Sequence, residues 1–414
     1  MLLLAGLKSR ASTTEEINSD KNMNDTDALI NMQKPSLLLL FLLISLLTSF
    51  AQAADNKYLV YIGTYTGSDS KGIYSYRFNA TTGEVTPIGL AAESESPSFL
   101  AVHPNGRFLY AVNEIDRFEG EKSGSISAFS IDPSPGKLTL LNRVSSRGDG
   151  PAHLSLDKTG KYLFVANYGG GSVAAFPIQD DGRLGPASSF VQHTGSSVNH
   201  ERQEAPHAHE IVAGNDNRFV LVPDLGLDKV LIYRFDAAKG RLTANDPPFV
   251  KTDPGAGPRH LAEHPDGRFA YVLNEMQSTV TVFSYDARAG SMRRIEQLTT
   301  LPKDFKGENS TAEITTDAKG RFVYLSNRGH DSIAVFAIDP QKGTLAPLQD
   351  VPSGGKTPRN FAIDPTGTWL FAANQESNNI TLFRIDSHTG RLTPTQTVLQ
   401  IGKPVCVIFV PDVR

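Results

Sequence analysis

Pro258-Arg259-His260-Leu261-Ala262-Glu263-His264-Pro265-Asp266-Gly267-Arg268-Phe269-Ala270-Tyr271-Val272-Leu273-Asn274 is the stretch that decides the fold. It opens on proline, reaches an apolar residue three places on at Leu261, turns at Asp266-Gly267, and returns through Gly-Arg-aromatic and an apolar run to close on asparagine. Two short β-rich runs joined by a tight glycine turn read as an antiparallel hairpin. The same phrase recurs outward along the chain, at Pro97 to Asn113, Pro151 to Asn167 and Pro358 to Asn374, with weaker copies at His207 to Pro223 and Thr311 to Asn327. A second phrase alternates apolar and small residues, as in Val280-Thr281-Val282-Phe283. A third, Gly-x-apolar, stands at Gly83, Gly136, Gly182, Gly240, Gly290, Gly343 and Gly390. Its seven copies are spaced by about 51 residues, a period suited to propeller blades.

Each period holds about four short runs with strand alternation, and none has helical spacing. The expected fold is therefore all-β: a seven-bladed propeller with four antiparallel strands per blade. The chain ends on half a phrase, Lys403-Pro404 to Val410, and starts its repeats with the missing half, Tyr58 to Thr64. An N-terminal strand completing the C-terminal blade would close the ring and leave no open edge.

Composition bounds the function. The 414 residues are 39% hydrophobic and 20% charged, as in a globular chain, and the net charge of −4 supplies no basic field for nucleic acid. The one cysteine, Cys406, excludes an intramolecular disulfide and a zinc site built on cysteine pairs. Near the start, Lys34, an apolar run from Leu37 to Phe50 and Ala51-Gln52-Ala53 have the order of a secretory signal peptide. Residues 1–31 are expected to be a leader, non-native or disordered, with the signal at 32–53 and one propeller domain over 54–414. The protein is expected to be exported, periplasmic or secreted, monomeric, and without a stable membrane span.

Gly255-Ala256-Gly257-Pro258-Arg259-His260, with His264-Pro265 and the closing Asn274-Glu275, resembles the signature stretch of the seven-bladed propeller lactonases. That family includes propeller-type 6-phosphogluconolactonases and muconate-lactonising relatives. Pro151-Ala152-His153-Leu154-Ser155, His207 to Arg218, Gly320-Arg321 to Arg328 and Thr357-Pro358-Arg359 extend the similarity over residues 57–412. The resemblance implies hydrolysis of a small sugar lactone at the mouth of the central channel. A non-catalytic binding propeller and a muconate-type lactonising enzyme are the alternatives.

Strand parity selects candidate site residues. If the Pro-led strands converge on the axis, the slots alternating with small residues such as Ser155 and Ala262 hold Phe99, His153, His260, Glu313 and Asn360, all aimed into the channel. Arg259 and Arg359 adjoin them. Asn113, Glu114, Asn274, Glu275 and Arg328 come from the ends of the partner strands. His207 and His209 have no assigned parity, because their blade carries an extra residue before its turn. On a regular strand that pair would share a face and could bind zinc, with Glu210 on the other face, but further ligands are missing, so neither metal nor cofactor is expected. His103 and His264 are expected to be exposed spacers at the opposite turn.

Opening a lactone requires an activated water, a held oxyanion and a protonated leaving group. The expected catalytic set is His153 or His207 as general base with Glu313 orienting it, and Arg259 for the developing charge or an anionic substituent. His209, His260, Arg328, Arg359, Asn113, Asn274 and Glu275 are expected to bind the substrate. No Gly-x-Ser-x-Gly elbow supports an acyl-enzyme route.

Overall fold

The structure is a computed structural model that describes residues 56–412. The expected leader and signal peptide lie outside the described residues. Seven four-stranded antiparallel sheets follow one another along the chain. The first strand of each, nearest the axis, is Pro404–Pro411 in blade 1, Leu100–Val102 in blade 2, Pro151–Leu156 in blade 3 and Val212–Ala213 in blade 4. Pro258–Glu263, Ser310–Thr316 and Pro358–Ile363 serve blades 5, 6 and 7. Among the described residues the only helical element is the single turn Leu225–Leu227.

Blade 1 closes the ring as the half-phrases require. Pro404–Pro411 pairs antiparallel with Lys57–Thr64, Tyr58 facing Pro411 and Ile62 facing Val407. The core lies in the seams between blades. One apolar cluster joins Val60, Ile62 and Phe78 of blade 1 to Trp369, Phe371 and Leu382 of blade 7. The rings of Phe78 and Phe371 meet edge-on at 5.0 Å.

The two commonest sequence phrases are partners across these seams. Gly390, in the outer turn of blade 7, lies against Phe322, which opens the second strand of blade 6; Gly83 of blade 1 lies against Trp369 of blade 7 in the same way. Both glycines have positive φ, 70° and 80°, and a Cβ on either would enter the neighbouring ring. Trp369 adds a hydrogen bond from Nε1 to the Ala80 carbonyl at 2.8 Å. The aromatic of Gly-Arg/Lys-aromatic and the glycine of Gly-x-apolar thus set the spacing of blades.

His103 and His264 are not exposed spacers. His264 is buried, and its Nε2 meets the Gly320 carbonyl at 2.8 Å; the partly buried His103 meets that of Gly160 at 2.9 Å. Each ties its own turn to that of the next blade.

Candidate active site

The inner strands bring the chemistry to one end of the channel through a repeated irregularity. In blade 5 the register passes from Pro258↔Asn274 directly to His260↔Leu273, so Arg259 is an extra residue. The same shift follows Pro151 and Pro358 and falls between Thr311 and Ile314. A regular strand sends neighbours to opposite faces, whereas a bulge re-aims one of them. Arg259 and His260 therefore line one pocket together, as do Arg359 and Asn360. Its lining is completed by Ser98, Phe99, Glu114, Ala152, His209, Glu313 and Val405.

A hydrogen-bonded belt runs around its floor through four blades. Nδ1 of His260 lies 3.0 Å from Oε1 of Glu313. Asn360 donates from Nδ2 to Oε2 of Glu313 at 2.6 Å, and its Oδ1 accepts from the Val407 amide at 2.9 Å. With the carboxylate as acceptor, the proton of neutral His260 belongs on Nδ1 and the lone pair on Nε2. Nε2 is buried and has no hydrogen-bond partner among the described residues. Burial pushes the His260 pKa down; Glu313 opposes this and Arg259 adds to it. Burial disfavours ionisation of Glu313, but His260, then Arg259 and the Ile314 amide, outweigh it and hold its pKa below the usual value. The pair is a neutral imidazole on a carboxylate, an arrangement able to accept a proton from water.

Cations dominate the wall above it. Glu275 is the shared partner of three guanidinium groups: Arg259 Nε and Arg328 Nη2 lie 3.0 Å from Oε2, and Arg202 Nη2 lies 2.8 Å from Oε1. Burial opposes its charge, yet Arg328, Arg259 and Arg202 hold its pKa at about 2. Arg259 also donates to the Ala312 carbonyl through Nη1, and among the described residues no hydrogen bond engages its Nη2. Burial, then Arg328 and Arg359, push Arg259 down to about 9, which leaves it cationic at neutral pH. Arg359 has no carboxylate partner among the described residues. Its guanidinium lies over the Tyr65 ring at 5.3 Å, and the Tyr65 hydroxyl donates to Glu114 at 2.8 Å.

The family profile described as "Lactonase, 7-bladed beta-propeller" matches residues 59–409. The chain belongs to this family of seven-bladed propeller lactonases. It is 38% identical over 305 residues to the 6-phosphogluconolactonase of Bacillus subtilis, covering 74% of this chain and 84% of that protein. A 6-phosphogluconolactonase of Formosa agariphila is 34% identical over 308 residues, with 73% and 86% covered. The solved structure of the periplasmic gluconolactonase of Pseudomonas aeruginosa superposes with a TM-score of 0.80 at 37% identity, covering 86% of this chain and 99% of that one.

Within this lactonase-family propeller, the sequence-selected residues divide. His209, Arg259, His260, Glu313 and Arg359 line the pocket, with Glu275 and Arg328 bonded behind its wall. His153 is buried beneath it, its ring 4.1 Å from Phe99 and 5.4 Å from His260. Its Nδ1 accepts from the Ile211 amide at 3.4 Å and its Nε2 lies 3.8 Å from Glu210, so Glu313 does not orient it. Nor does Glu313 reach His207, which stacks on Tyr168 at the rim, bonds that residue's carbonyl through Nδ1 at 3.0 Å and approaches Glu204 at 3.4 Å. Asn113 and Asn274 are sealed inside their blades. Asn113 donates to Ser94 and Glu95 and accepts from Ser125 and Ser127, while Asn274 donates to Thr279 and Thr281, so neither side chain reaches the pocket.

Glu210 turns inward, not away: its Oε2 accepts the Leu261 amide at 2.6 Å. Burial, reinforced by Glu313, drives its pKa well above the carboxylate range. Sequence reasoning also passed over Tyr65, Tyr168 and Arg202. Tyr65 and Tyr168 follow the second strands of blades 1 and 3, the slot filled by Glu114, Glu275 and Arg328 in blades 2, 5 and 6. That equivalence was legible. Arg202 lies in the segment between blades 3 and 4, which belongs to no repeat.

Proposed function

We propose that this protein hydrolyses a sugar δ-lactone at the channel mouth, with His260 as general base and Glu313 holding it. The observation that carries the reading is the unpartnered Nε2 of His260 in a pocket walled by Arg259 and Arg359. Water bonded to Nε2 gives up a proton as its oxygen attacks the lactone carbonyl. Arg259 Nη2 and Arg359 stabilise the resulting oxyanion. When the tetrahedral species collapses, the ring oxygen leaves and takes the proton from His260. The product is the open hydroxy acid. His209, whose ring lies 5.1 Å from that of His260 and whose Nδ1 is also unpartnered, helps to position the sugar.

Membership of the lactonase family, and relatives named 6-phosphogluconolactonase and periplasmic gluconolactonase, support this substrate class. The apolar run and small-x-small site at 37–53, with a periplasmic structural relative, support export. The test is a pH-stat assay of the purified protein on glucono-δ-lactone and its 6-phosphate, set beside Glu313→Gln. Hydrolysis above the spontaneous rate that the substitution removes is the expected result. If the protein accelerated neither lactone, the reading would fall.

A further inference from the structure

Three of the four guanidinium groups at the mouth are fixed. Arg259 and Arg328 are largely buried, and each bonds a backbone carbonyl, Ala312 and Thr311 respectively, besides Glu275. Arg359 lies over Tyr65. Arg202 differs. Its side chain is 46% exposed, and among the described residues it bonds only Glu275, at 2.8 Å, and the Tyr168 hydroxyl, at 3.3 Å.

The backbone beneath Arg202 is anchored, and from it the partly exposed guanidinium reaches Glu275 and Tyr168. Gln203 is fully buried and donates from Nε2 to the Leu225 carbonyl and to Oδ1 of Asp228, each at 2.8 Å. Ser197 donates to the same carboxylate. Asp228 also accepts the amides of Gly255 and Gly257, at 2.7 and 2.8 Å, just ahead of Pro258-Arg259. One buried aspartate thus fixes the base of Arg202 relative to the strand that carries Arg259 and His260.

We infer that Arg202 is a specificity-determining residue that leaves Glu275 to bind a phosphoryl group on the lactone, with the Tyr168 hydroxyl beside it. The inference rests on the lactonase reading and deepens it. When Arg202 leaves, Glu275 keeps Arg259 and Arg328, and the phosphoryl group replaces the carboxylate as the partner of Arg202, whose end of the pair is partly exposed. The charges favour it, because one carboxylate pairs with three guanidinium groups, and among the described residues Arg359 has no carboxylate at ion-pair distance, Glu114 and Glu275 acting on it only from further away. A phosphoryl group offers three oxygens to donors converging from different elements, and guanidinium suits it geometrically. A neutral lactone offers Arg202 no such exchange.

The test compares wild type with Arg202→Gln and Arg202→Lys on glucono-δ-lactone and on its 6-phosphate. For Arg202→Gln, kcat/KM on the phosphorylated lactone should fall about tenfold relative to the neutral one, through KM; tenfold is about 1.4 kcal/mol. Arg202→Lys should restore part of it. A parallel fall on both lactones, or no change on either, overturns the inference while leaving the lactonase reading intact. Binding of inorganic phosphate, followed by phosphorus NMR line broadening, gives an arm independent of turnover. Phosphate should bind wild type more tightly than Arg202→Gln; equal binding overturns the inference even if neither lactone is hydrolysed.

Discussion

Nδ1 of His260 and Oε1 of Glu313 lie 3.0 Å apart although they come from adjacent blades, 53 residues apart in sequence. The contact spans a seam of the ring, so the orientation of the base depends on how two sheets are spaced. Glu313→Gln leaves the shape nearly unchanged but no longer requires the proton on Nδ1. Turnover on glucono-δ-lactone should fall by on the order of 100-fold or more, as when the carboxylate behind a catalytic histidine is neutralised. His260→Ala should fall at least as far. His153→Ala, which removes a packed ring below the floor, should act mainly on the thermal midpoint. Steady-state kinetics beside differential scanning calorimetry separates these outcomes.

The pH profile follows from the same pair. The His260 pKa lies below its usual value, so the neutral, basic form prevails at neutral pH. kcat/KM should rise with pH along a single limb whose midpoint lies below ~6.5, the ordinary histidine value, and be flat at neutrality. Glu313 works to raise that pKa, so in Glu313→Gln the limb of the residual activity should move to lower pH. A midpoint above the ordinary value would assign the limb to another group.

Arg359 tests charge at the mouth without breaking an ion pair. Arg359→Ala removes a cation whose described partner is the Tyr65 ring. Because Arg359 is a donor to the oxyanion formed on either lactone, its loss should lower kcat on both alike, by on the order of 100-fold. A loss confined to the Michaelis constant of the phosphorylated lactone would move Arg359 to phosphoryl binding.

Acid stability should report on Glu275. Its folded pKa of about 2 lies below the unfolded value of ~4.3. Its ion pairs therefore stabilise the protein fully above the unfolded value, and that contribution is lost as pH falls through the folded one. The thermal midpoint of wild type should drop across that window. In Glu275→Gln the midpoint should be lower near neutrality and the drop shallower, since the titrating group is gone.

Ring closure has its own test. Trp369→Ala removes a buried indole that covers Gly83 and bonds Ala80 across the seam between blades 7 and 1. Loss of such a side chain from a packed interior costs roughly 3–5 kcal/mol. Urea denaturation should show an unfolding free energy lower by that amount, and so a lower midpoint, while the KM of the surviving folded protein stays near wild type.

By itself the sequence determined the blade count, the four-stranded blades and the closing strand. Those properties are periodic, and a period survives without coordinates: each hairpin repeats its proline, its glycine turn and its aromatic. Parity of the inner strand also picked out His260, Glu313 and Asn360, because alternation holds locally. The tertiary structure alone distinguished His260 from His153. His153 and His260 occupy equivalent slots, and only the neighbouring blade distinguishes them: His260 meets Glu313, whereas His153 meets Phe99 and lies 3.8 Å from Glu210. The bulge that turns Arg259 and His260 to one side, and the non-repeating segment that carries Arg202 to Glu275, are likewise contacts between distant parts of the chain. They depend on the spacing between blades, which seam packing sets and a single strand does not encode.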